Sequence, residues 1–419
     1  MRWLYTLLLY LALPAVSLLV AVRGLREREY WRGWGERFGY GARAPGGGIW
    51  VHAVSVGEVR AAVVLIEALR ARRPQDAITL SCATPTARSL GRALLPQIAV
   101  RYAPYDLPGS VRRCLIGLRP RLLIVLEAEL WPNLLHQACG AGVPVLFASA
   151  RVSERSARLY GRLPGLLRAP LGRCTWVGAQ SAADAQRFEA LGVPPERLTV
   201  VGNIKFDRQL PAQALERGAQ LRARYAAGRP VWIAGSTHAG EECIVLAAQR
   251  RLCTERPSTL LVMAPRHAPR FDEAAAGVRS AGLTCQRRSS GPPPAEFQVL
   301  LLDTLGELTD FYAAADVAFV GGSLVPVGGH NLLEPAALGL PVLTGPAQFN
   351  APELARVLRE HGALTIVRDE QQLSAALSAL LAEPERRAAQ GAAGRAAIEA
   401  NRGALARLMG LIERIDRPA

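Results

Sequence analysis

The sequence predicts an α/β protein with two parallel β-sheets behind an apolar N-terminal segment. Short β-branched or aliphatic runs alternate with amphipathic helical stretches, and this alternation is typical of βαβ units. It occurs as two separate series, which are divided by a looser Gln-, Arg- and Ala-rich stretch. A chain of 419 residues is long enough for two or three domains, each with its own core.

The N-terminal segment is a candidate membrane anchor. Residues 3–22, WLYTLLLYLALPAVSLLVAV, carry no charge and have about the length that a bilayer-spanning helix needs. A cleaved signal peptide fits less well, because AVRGLRERE places arginine where a mature protein would begin. The sequence leaves open whether the helix spans the bilayer or lies in its surface. Only Arg2 precedes the segment, and the arginines that follow it predict that the rest of the chain lies in the cytoplasm; they are Arg23, Arg26, Arg28, Arg32 and Arg37.

The two series of predicted strands set the domain boundaries. We expect an anchor at 1–23, a first domain at 24–205, a linker at 206–229, a second domain at 230–400 and a C-terminal helix at 401–419. Two such halves imply a cleft between them, because open sheets bind ligands at the carboxyl ends of their strands. The predicted strands include IWVHA, AITLS, RLLIVLE, VPVLFA and TWVGA in the first series and VWIAG, TLLVMAP, QVLLLD, VAFVGG and LPVLTG in the second.

The composition indicates which class of partner the protein binds and which compartment it occupies. The formal charge of +15, from 50 basic and 35 acidic residues, favours anionic partners. Lys205 is the only lysine among those basic residues, and a compact ammonium does a different task from a guanidinium. Seven cysteines without a CxxC pair indicate neither a disulfide framework nor a cysteine zinc site, so we expect reduced thiols in the cytosol.

Several common motifs are absent or incomplete. A P-loop needs lysine after GxxxxG, and the only lysine lies in NIKFD. GWGERFG at 33–39 lacks the third glycine and the preceding strand of a dinucleotide fingerprint, and we interpret it as a basic juxtamembrane element. No HxxxH, HExxH or DxD run occurs, so the sequence predicts no metal site.

The first half offers two carboxylates at predicted strand ends. In HAVSVGE, Gly57 is expected to permit a tight turn, and Glu58 falls on the first turn of the next helix. A helix N-terminus lowers the pKa of a carboxylate, whereas burial or a second carboxylate raises it, so position alone leaves open whether Glu58 is a base or a helix cap. LEAELWPN places Glu127 and Glu129 at another strand end, where Glu127 can meet Glu58; at least one of this second pair is expected to be a solvated charge.

The second half has the pattern of a phosphate and nucleoside pocket. Gly, Ser, Thr or Asn recurs at four predicted strand-to-helix turns, in GSTHAGEE, APRH, LGEL and GGSLVPVGGHNLLEP. Free backbone N–H groups at such turns bind phosphate, Arg266 can add charge, and Glu334 is placed for ribose hydroxyls. Ordinary helix capping by Ser236 and Asn331 is the alternative for any single motif.

A serine hydrolase is a competing interpretation of the first half. AVSVG follows a predicted strand and opens a helix, as a nucleophile elbow does, with Ser55 in the nucleophile position. The first glycine of that motif is Ala53 here. Asp303 and His330 follow in the chain order of a hydrolase triad, but both fall in the other half.

Taken in order, these motifs resemble one family. WGERFG, HAVSVGE, LEAELWPN, GNIKFD, STHAGEE, PRH, LGEL and GGHNLLEP are similar to the motifs of the bacterial 3-deoxy-D-manno-oct-2-ulosonic acid (Kdo) transferases of lipopolysaccharide biosynthesis, from the anchor to near the C-terminus. The resemblance implies a GT-B fold, with two Rossmann-like domains facing across a cleft and an N-terminal membrane-anchor helix. It also implies CMP-Kdo as donor, the lipid A precursor lipid IVA as acceptor, contact with inner-membrane lipids on the cytoplasmic side, and no nucleic-acid partner.

The resemblance also assigns roles to residues of this chain. Glu58 looks like the catalytic base of an inverting, metal-independent transfer without a cofactor, and Glu127 and Lys205 look like groups that stabilise the transition state. The alternatives are a GT-B transferase that uses another nucleotide sugar, the serine hydrolase, and a non-catalytic membrane-tethered binding protein. The CMP contacts implied are Pro265, Arg266, Leu305, Gly306, Glu307, Asn331, Leu332, Leu333 and Glu334.

Overall fold

The computed structural model describes residues 1–41, 44, 46–127, 129–226, 228–291 and 296–416, apart from the side chain of Arg26. The chain forms two compact units. The first comprises Met1–Arg208 together with Asn401–Ala419, and the second comprises Gln209–Ala400. Each unit has its own sheet and its own hydrophobic clusters.

The first unit is built on a seven-stranded parallel sheet of order β3-β2-β1-β4-β5-β6-β7. Strands β1 and β4 lie side by side, with Ile49 opposite Leu122, and the strand order reverses at this pair. Such a reversal is the position where open α/β sheets bind ligands. The strands are β1 Ile49–His52, β2 Ile78–Cys82, β3 Ala99–Tyr102, β4 Leu122–Leu126, β5 Val145–Ala150, β6 Thr175–Ala179 and β7 Leu198–Val200.

Helices cover both faces of this sheet, so its central strands are buried throughout, as their aliphatic runs require. One hydrophobic cluster packs Ile49 and Val51 beneath α3, and another packs Trp50 against the opposite face. The helices are α1 Arg2–Arg26, α2 Trp34–Arg37, α3 Val56–Arg72, α4 Pro85–Leu94, α5 Pro108–Leu118, α6 Pro132–Gly140, α7 Glu154–Gly161, α8 Pro164–Cys174 and α9 Ala182–Ala190.

The second unit repeats this plan with a seven-stranded parallel sheet of order β10-β11-β9-β8-β12-β13-β14. Here the reversal lies between β8 and β12. The strands are β8 Val231–Thr237, β9 Leu260–Pro265, β10 Cys285–Arg287, β11 Val299–Leu301, β12 Val317–Val320, β13 Val342–Thr344 and β14 Leu364–Ile366. The helices are α10 Ala214–Tyr225, α11 Glu242–Glu255, α12 Phe271–Ser280, α13 Leu308–Ala313, α14 Leu333–Ala337, α15 Pro352–Glu360, α16 Glu370–Ala382 and α17 Pro384–Ala400. The predicted pair of Rossmann-like α/β domains is therefore confirmed.

The stretch 206–229, which the sequence presents as a linker, contains α10. This helix belongs to the second unit, where its Gly218 packs so closely on Ala313 of α13 that a Cβ would overlap it. The C-terminal helix, α18 Ala404–Ile415, returns to the first unit. Asp207 fixes its start by accepting hydrogen bonds from the backbone N–H groups of Gly403 (2.7 Å) and Leu405 (2.9 Å).

The GWGERFG segment is not a basic element presented to a membrane. Its arginine, Arg37, is buried, stacks over the ring of Tyr102 and donates to the carbonyl of Ala83. Glu36 accepts hydrogen bonds from the backbone N–H of Tyr102 (2.7 Å) and from Arg88 (3.0 Å). These contacts fix the segment on β3 and α4, because buried charged groups need partners. The prediction of a basic juxtamembrane element is therefore wrong for this segment.

Helix α1 is mostly exposed. Among the described residues it is the one helix long and apolar enough to cross a membrane. Pro14 lies near its middle, where proline removes one intrahelical hydrogen bond. The anchor prediction is thus consistent with the structure, and the position of α1 relative to a bilayer stays a prediction.

Candidate active site

Glu58 lies at the carboxyl end of β1, in the first turn of α3. Ser55 caps this helix: its Oγ accepts from the backbone N–H of Glu58 (3.3 Å) and donates to Oε1 of the same residue (2.7 Å). The backbone N–H of Val54 donates to Oε2 at 2.8 Å. This reciprocal pattern resembles a capping box, except that the Glu58 carboxylate accepts from the residue before the N-cap. Glu58 therefore does act as a cap, and Gly57 is an ordinary helical residue rather than the tight turn expected from the sequence.

Burial decides the acidity of Glu58. The carboxyl is only 7% exposed, and its burial raises its pKa to about 7. The hydrogen bonds from Ser55 and Val54 lower the pKa, while the negative charges of Glu129 and Glu127 raise it further. Burial is the largest of these effects. A carboxylate with a pKa near neutrality is suited to general base catalysis, so the cap role of Glu58 is observed and its role as a base stays a prediction.

Glu127 directly follows β4, the neighbour of β1, and adopts a left-handed backbone conformation with φ of 55°. Residues other than glycine seldom adopt it, and such strain clusters at functional sites. Its Oε1 lies 2.5 Å from Nζ of Lys205. Strands β1 and β4 are neighbours in parallel, so Glu58 and Glu127 follow adjacent strand ends at the same edge of the sheet. The structure therefore brings together the three residues that the sequence singled out in this half.

Two residues that sequence reasoning missed hold the Lys205 segment in place. Lys205 lies in the 3-10 turn Ile204–Asp207, where Asn203 Oδ1 accepts from its backbone N–H at 3.0 Å. Ser149, with a left-handed φ of 53°, accepts from the backbone N–H of Ile204 through Oγ at 3.2 Å. Gln180 donates to the carbonyl of Ser149 at 2.9 Å. Ser149 lies in β5 and Gln180 directly follows β6, and nothing in the local sequence pattern of either strand distinguishes these two residues.

Glu129 is not simply a solvated charge. It accepts a hydrogen bond from Nε1 of Trp131 at 2.7 Å, and burial raises its pKa. The Trp131 ring meets His52 edge to face at 4.6 Å. Burial lowers the pKa of His52 to about 3, so this histidine stays neutral at physiological pH and supports the loop by packing. Glu127 is about a fifth exposed and is paired with Lys205, so both acids of this pair have a partner.

In the second unit, the predicted CMP-binding residues all follow carboxyl ends of strands. Pro265 ends β9, and the backbone N–H of the exposed Arg266 donates to the carbonyl of Thr237 at 2.9 Å. Leu305, Gly306 and Glu307 precede α13, and Leu305 is 74% exposed. Glu307 accepts from Arg288 at 2.7 Å and from Thr304. Gly306 has the positive φ of 91° that glycine tolerates best.

The HNLLEP segment forms hydrogen bonds between its own residues. Asn331 donates to Oε1 of Glu334 at 3.0 Å and accepts from the backbone N–H of Leu333 at 3.1 Å. Thr309 of α13 donates to Oε2 of Glu334 at 3.3 Å, which links this segment to the one beginning at Leu305. The side chains of Leu332 and Leu333 are buried, so any nucleotide contact at these two positions uses the backbone. Neither residue is the helix cap of the alternative interpretation, because Asn331 lies one position before the N-cap Leu332 and Ser236 lies within β8 with φ of 58°.

Three histidines that sequence reasoning did not assign to the site connect its motifs. His238 of STHAGEE stacks on His330 of GGHN with ring centroids 5.0 Å apart and their Nε2 atoms 2.7 Å apart. His267 of PRH meets His238 edge to face at 5.2 Å. Burial lowers the pKa of His238, and the nearby His267, Arg266 and Arg270 lower it further. The predicted nucleotide motifs after β8, β9 and β12 thus converge.

One expectation for this half is wrong. The sequence suggested free backbone N–H groups in GGSL, but a buried carboxylate already occupies them. Glu241 is fully buried and accepts from the N–H groups of Gly322 (2.5 Å), Ser323 and Leu324 (both 3.3 Å), as well as from that of His238 (2.8 Å). This carboxylate fills the position that a phosphate would need, because both are anions that seek the same donors.

The serine hydrolase interpretation gains no support. Ser55 is hydrogen-bonded to Glu58 on both sides, as donor and as acceptor. The other two triad candidates belong to the second unit, where His330 stacks on His238 and Asp303 accepts from the hydroxyl of Ser289 at 2.6 Å.

Among the described residues, no group of three or more His, Cys, Asp or Glu side chains could hold a metal ion.

Comparison with known proteins identifies the family. A family model described as 3-deoxy-D-manno-octulosonic-acid transferase matches residues 32–208, and one described as glycosyl transferases group 1 matches residues 294–397. The 3-deoxy-D-manno-octulosonic acid transferase of Haemophilus influenzae is 39% identical, with 98% of each chain covered. That of Bordetella pertussis is 41% identical, with 98% of this chain and 99% of that one covered. The chain belongs to the Kdo transferase family. It is therefore a glycosyltransferase of lipopolysaccharide core synthesis, as the sequence motifs implied.

Solved structures confirm the GT-B fold of this Kdo transferase family member. The UDP-GlcNAc 2-epimerase of Neisseria meningitidis bound to UDP-GlcNAc superposes with a TM-score of 0.57 at 15% identity, covering 87% of this chain and 99% of that one. Alr3699/HepE of Anabaena in complex with UDP and glucose gives 0.53 at 16% identity, covering 88% and 99%. At such identities the likeness concerns the fold alone.

Proposed function

We propose that this enzyme moves Kdo from CMP-Kdo to lipid IVA with inversion at the anomeric carbon, and that Glu58 is the general base. The observation that carries the proposal is the buried Glu58 carboxyl, whose pKa of about 7 lets it take a proton at neutral pH. It sits at the β1–β4 reversal beside Glu127, in a chain that belongs to the Kdo transferase family.

In the proposed reaction, Glu58 removes the proton from a sugar hydroxyl of lipid IVA. The hydroxyl oxygen forms a bond to the anomeric carbon of Kdo while the bond from that carbon to the CMP phosphate oxygen breaks. CMP leaves with the bonding electron pair, and the proton stays on Glu58 until it is released to solvent. Attack opposite the leaving group inverts the configuration.

Glu127 and Lys205 act together as transition-state stabilisers. Their 2.5 Å contact fixes the ammonium group, whose single positive charge suits the developing negative charge of the leaving phosphate. Glu127 in turn stabilises positive charge that develops on the sugar ring. Both side chains are partly exposed, so a substrate can reach them.

CMP is bound by Pro265, Arg266, the segment 305–307 and the segment 331–334. Arg266 supplies a solvent-exposed guanidinium for the phosphate, and the Asn331–Glu334 pair offers polar atoms for ribose hydroxyls. With Lys205 and Arg266 available to offset charge, the proposed transfer needs no divalent ion and no cofactor. The proposed acceptor and the predicted anchor both support a position at the cytoplasmic face of the inner membrane.

Incubation with CMP-Kdo and lipid IVA in detergent, with a chelator present, tests the proposal. We expect release of CMP and a lipid product heavier by one or more Kdo units. Glu58→Gln is expected to bind CMP normally and to lose nearly all turnover, whereas Glu67→Gln on the same helix serves as the matched control with turnover unchanged. Transfer from a UDP-sugar instead of CMP-Kdo would reject the donor, and full activity of Glu58→Gln would reject the base.

A further inference from the structure

Helix α1 is fastened to the first unit at both of its ends. Near its start, the Tyr5 hydroxyl donates to Oδ2 of Asp106 at 2.9 Å, and the Thr6 hydroxyl donates to Oδ1 of Asn133 at 3.2 Å. Near its end, Nε1 of Trp31 donates to the carbonyl of Ala21 at 3.0 Å, and the Trp31 ring packs on Gly24.

The second fastening continues into the body of the unit. Trp31 follows the turn Arg28–Tyr30, and Tyr102 of β3 donates to the carbonyl of Glu29 in that turn at 3.0 Å. Tyr5 and Ala21 are 16 positions apart, which corresponds to about 24 Å along a helix. One rigid unit therefore holds two points of α1 that are separated by most of the thickness of a bilayer core, about 30 Å.

Helix α1 is exposed around most of its surface, and its covered residues recur along one side. Thr6, Val20 and Gly24 are buried and Leu13 is half-buried, so the side facing the unit recurs every three or four residues. The opposite side presents a leucine every seven residues, and these leucines are strongly exposed: Leu4 61%, Leu11 68%, Leu18 67% and Leu25 72%. Residues seven apart lie on one face of a helix.

We infer that α1 lies in the plane of the membrane along the first unit, with the leucine face formed by Leu4, Leu11, Leu18 and Leu25 immersed in the acyl chains of one leaflet. This inference rests on the proposed function, because the lipid acceptor of that function is what requires a membrane. A helix that crossed the bilayer while keeping both fastenings would carry the polar groups of Asp106 and Asn133 into hydrocarbon. Hydrocarbon contains no water to solvate such polar groups, so their burial there is strongly unfavourable.

Charge favours an anionic leaflet as the occupant of this face. Arg23 is exposed within the last two turns of α1, and Arg28 and Arg32 follow it, also exposed. Basic residues beside an immersed helix are attracted to acidic headgroups.

Asp106 connects this helix to the catalytic loop. Besides the Tyr5 hydroxyl, it accepts from the backbone N–H groups of Asn133 (3.0 Å) and Leu134 (2.7 Å), at the start of α6. That helix begins directly after the loop from Glu127 to Trp131. Tyr5 and Asp106 are therefore positioning residues that set the height of the catalytic loop above the acyl chains, where a lipid acceptor presents its sugar.

Depth measurements test the in-plane helix. The full chain is reconstituted in phosphatidylcholine–phosphatidylglycerol vesicles, with one of the four leucines at a time replaced by a genetically encoded fluorescent residue. Quenching by lipids brominated at defined acyl carbons gives the depth of each position. An in-plane helix places all four at one depth within about 3 Å, whereas a spanning helix places Leu11 and Leu18 deeper than Leu4 and Leu25 by roughly the 10 Å rise of seven residues. The second profile, or no quenching at any position, would overturn the inference.

A matched pair of variants tests the connection to catalysis. Tyr5→Phe removes the hydroxyl that Asp106 accepts, and Tyr10→Phe removes a hydroxyl on an exposed side of the same helix. We expect Tyr5→Phe to raise KM for vesicle-embedded lipid IVA about fivefold, the equivalent of one hydrogen bond, with kcat within about twofold. Tyr10→Phe is expected to leave both constants unchanged. Equal constants for the two variants would remove the positioning role, whereas a wild-type chain that transfers no Kdo would reject the proposed function and leave the depth profile standing.

Discussion

The ammonium group of Lys205 lies 2.5 Å from the carboxylate of Glu127, although 78 positions separate the two residues in the chain. Glu127 reaches this contact from a left-handed backbone conformation after β4, and Lys205 reaches it from a turn after β7. The pair joins two strand ends of one sheet, next to the β1 strand end that carries Glu58. The ion pair thus joins the only lysine of the chain to a glutamate in a left-handed backbone conformation.

Replacement of this lysine tests whether its charge or merely its bulk is needed. We expect Lys205→Ala to lower kcat by about 10²-fold, the usual effect of losing one donor that stabilises transition-state charge, with CMP affinity unchanged. Lys205→Arg keeps the charge on a planar group and is expected to restore only part of the rate. Single-turnover kinetics and CMP titration measure both effects. Arg72→Ala, which breaks an exposed ion pair with Glu413, is the control; a similar rate loss there would make the effect nonspecific.

The pH profile of Ser55→Ala separates a base mechanism from a serine nucleophile. The hydrogen bond from Ser55 lowers the pKa of Glu58, so its removal raises that pKa above the wild-type value of about 7. Because the base acts deprotonated, the acid limb of kcat/KM against pH is expected to move to higher pH, while activity near pH 9 approaches that of the wild type. Loss of activity at every pH would instead favour Ser55 as nucleophile.

The raised pKa of Glu58 also predicts how stability depends on pH. The folded chain holds the Glu58 proton up to about pH 7, whereas the unfolded chain loses it near the ordinary value of 4.5. Between these values the folded state binds more protons, so this group makes the free energy of unfolding fall as pH rises. We expect Glu58→Gln to remove that contribution. Urea unfolding at pH 4.5, 6 and 8 checks it: an equal wild-type-to-variant difference at all three would contradict the assignment.

Asp207 is expected to hold the C-terminal helix on the first unit. Asp207→Ala removes the acceptor for two backbone N–H groups at the start of α18, and losing such a cap costs about 1–2 kcal/mol. Faster hydrogen exchange throughout α18 and a lower unfolding midpoint would register this loss. Asp272→Ala, whose carboxylate is 89% exposed, provides the comparison and should leave both measurements unchanged.

Glu241 is expected to support the CMP-binding segments of the second unit without contacting CMP. Glu241→Gln replaces one of its acceptor oxygens by an amide NH2 that cannot accept, so two of the four backbone N–H groups that donate to this side chain lose their acceptor. CMP affinity should fall about tenfold or more, as it would for the loss of one to two such hydrogen bonds. Isothermal titration measures the affinity. Glu273→Gln, on an exposed side chain, should bind CMP like the wild type; a wild-type affinity in Glu241→Gln would contradict the role.

Local sequence patterns determined more of the fold than of the site. Aliphatic runs such as LLIVL and VWIAG are buried on both faces of a parallel sheet, so their composition alone predicts the strands, and VSVGE predicts both the start of α3 and the place of Glu58 on it. The looser stretch 206–229 was harder to interpret, because α10 is stabilised mainly by its packing on α13.

What the tertiary structure decided depends on atoms brought together across the chain. The pKa of Glu58 follows from burial, which no local pattern reveals, and the partner of Lys205 follows from the order of strands in the sheet. In the sequence, Glu241 is one of two acids at the start of a helix. Three of the four backbone N–H groups that donate to it nevertheless lie about 80 positions away, in GGSL. The sequence by itself determined the two-sheet fold, the apolar helix and the motifs of the family, because these depend on near neighbours. Only the folded chain decided which carboxylate is buried, which is paired and which already fills an anion site, because solvation and charge depend on distance in space.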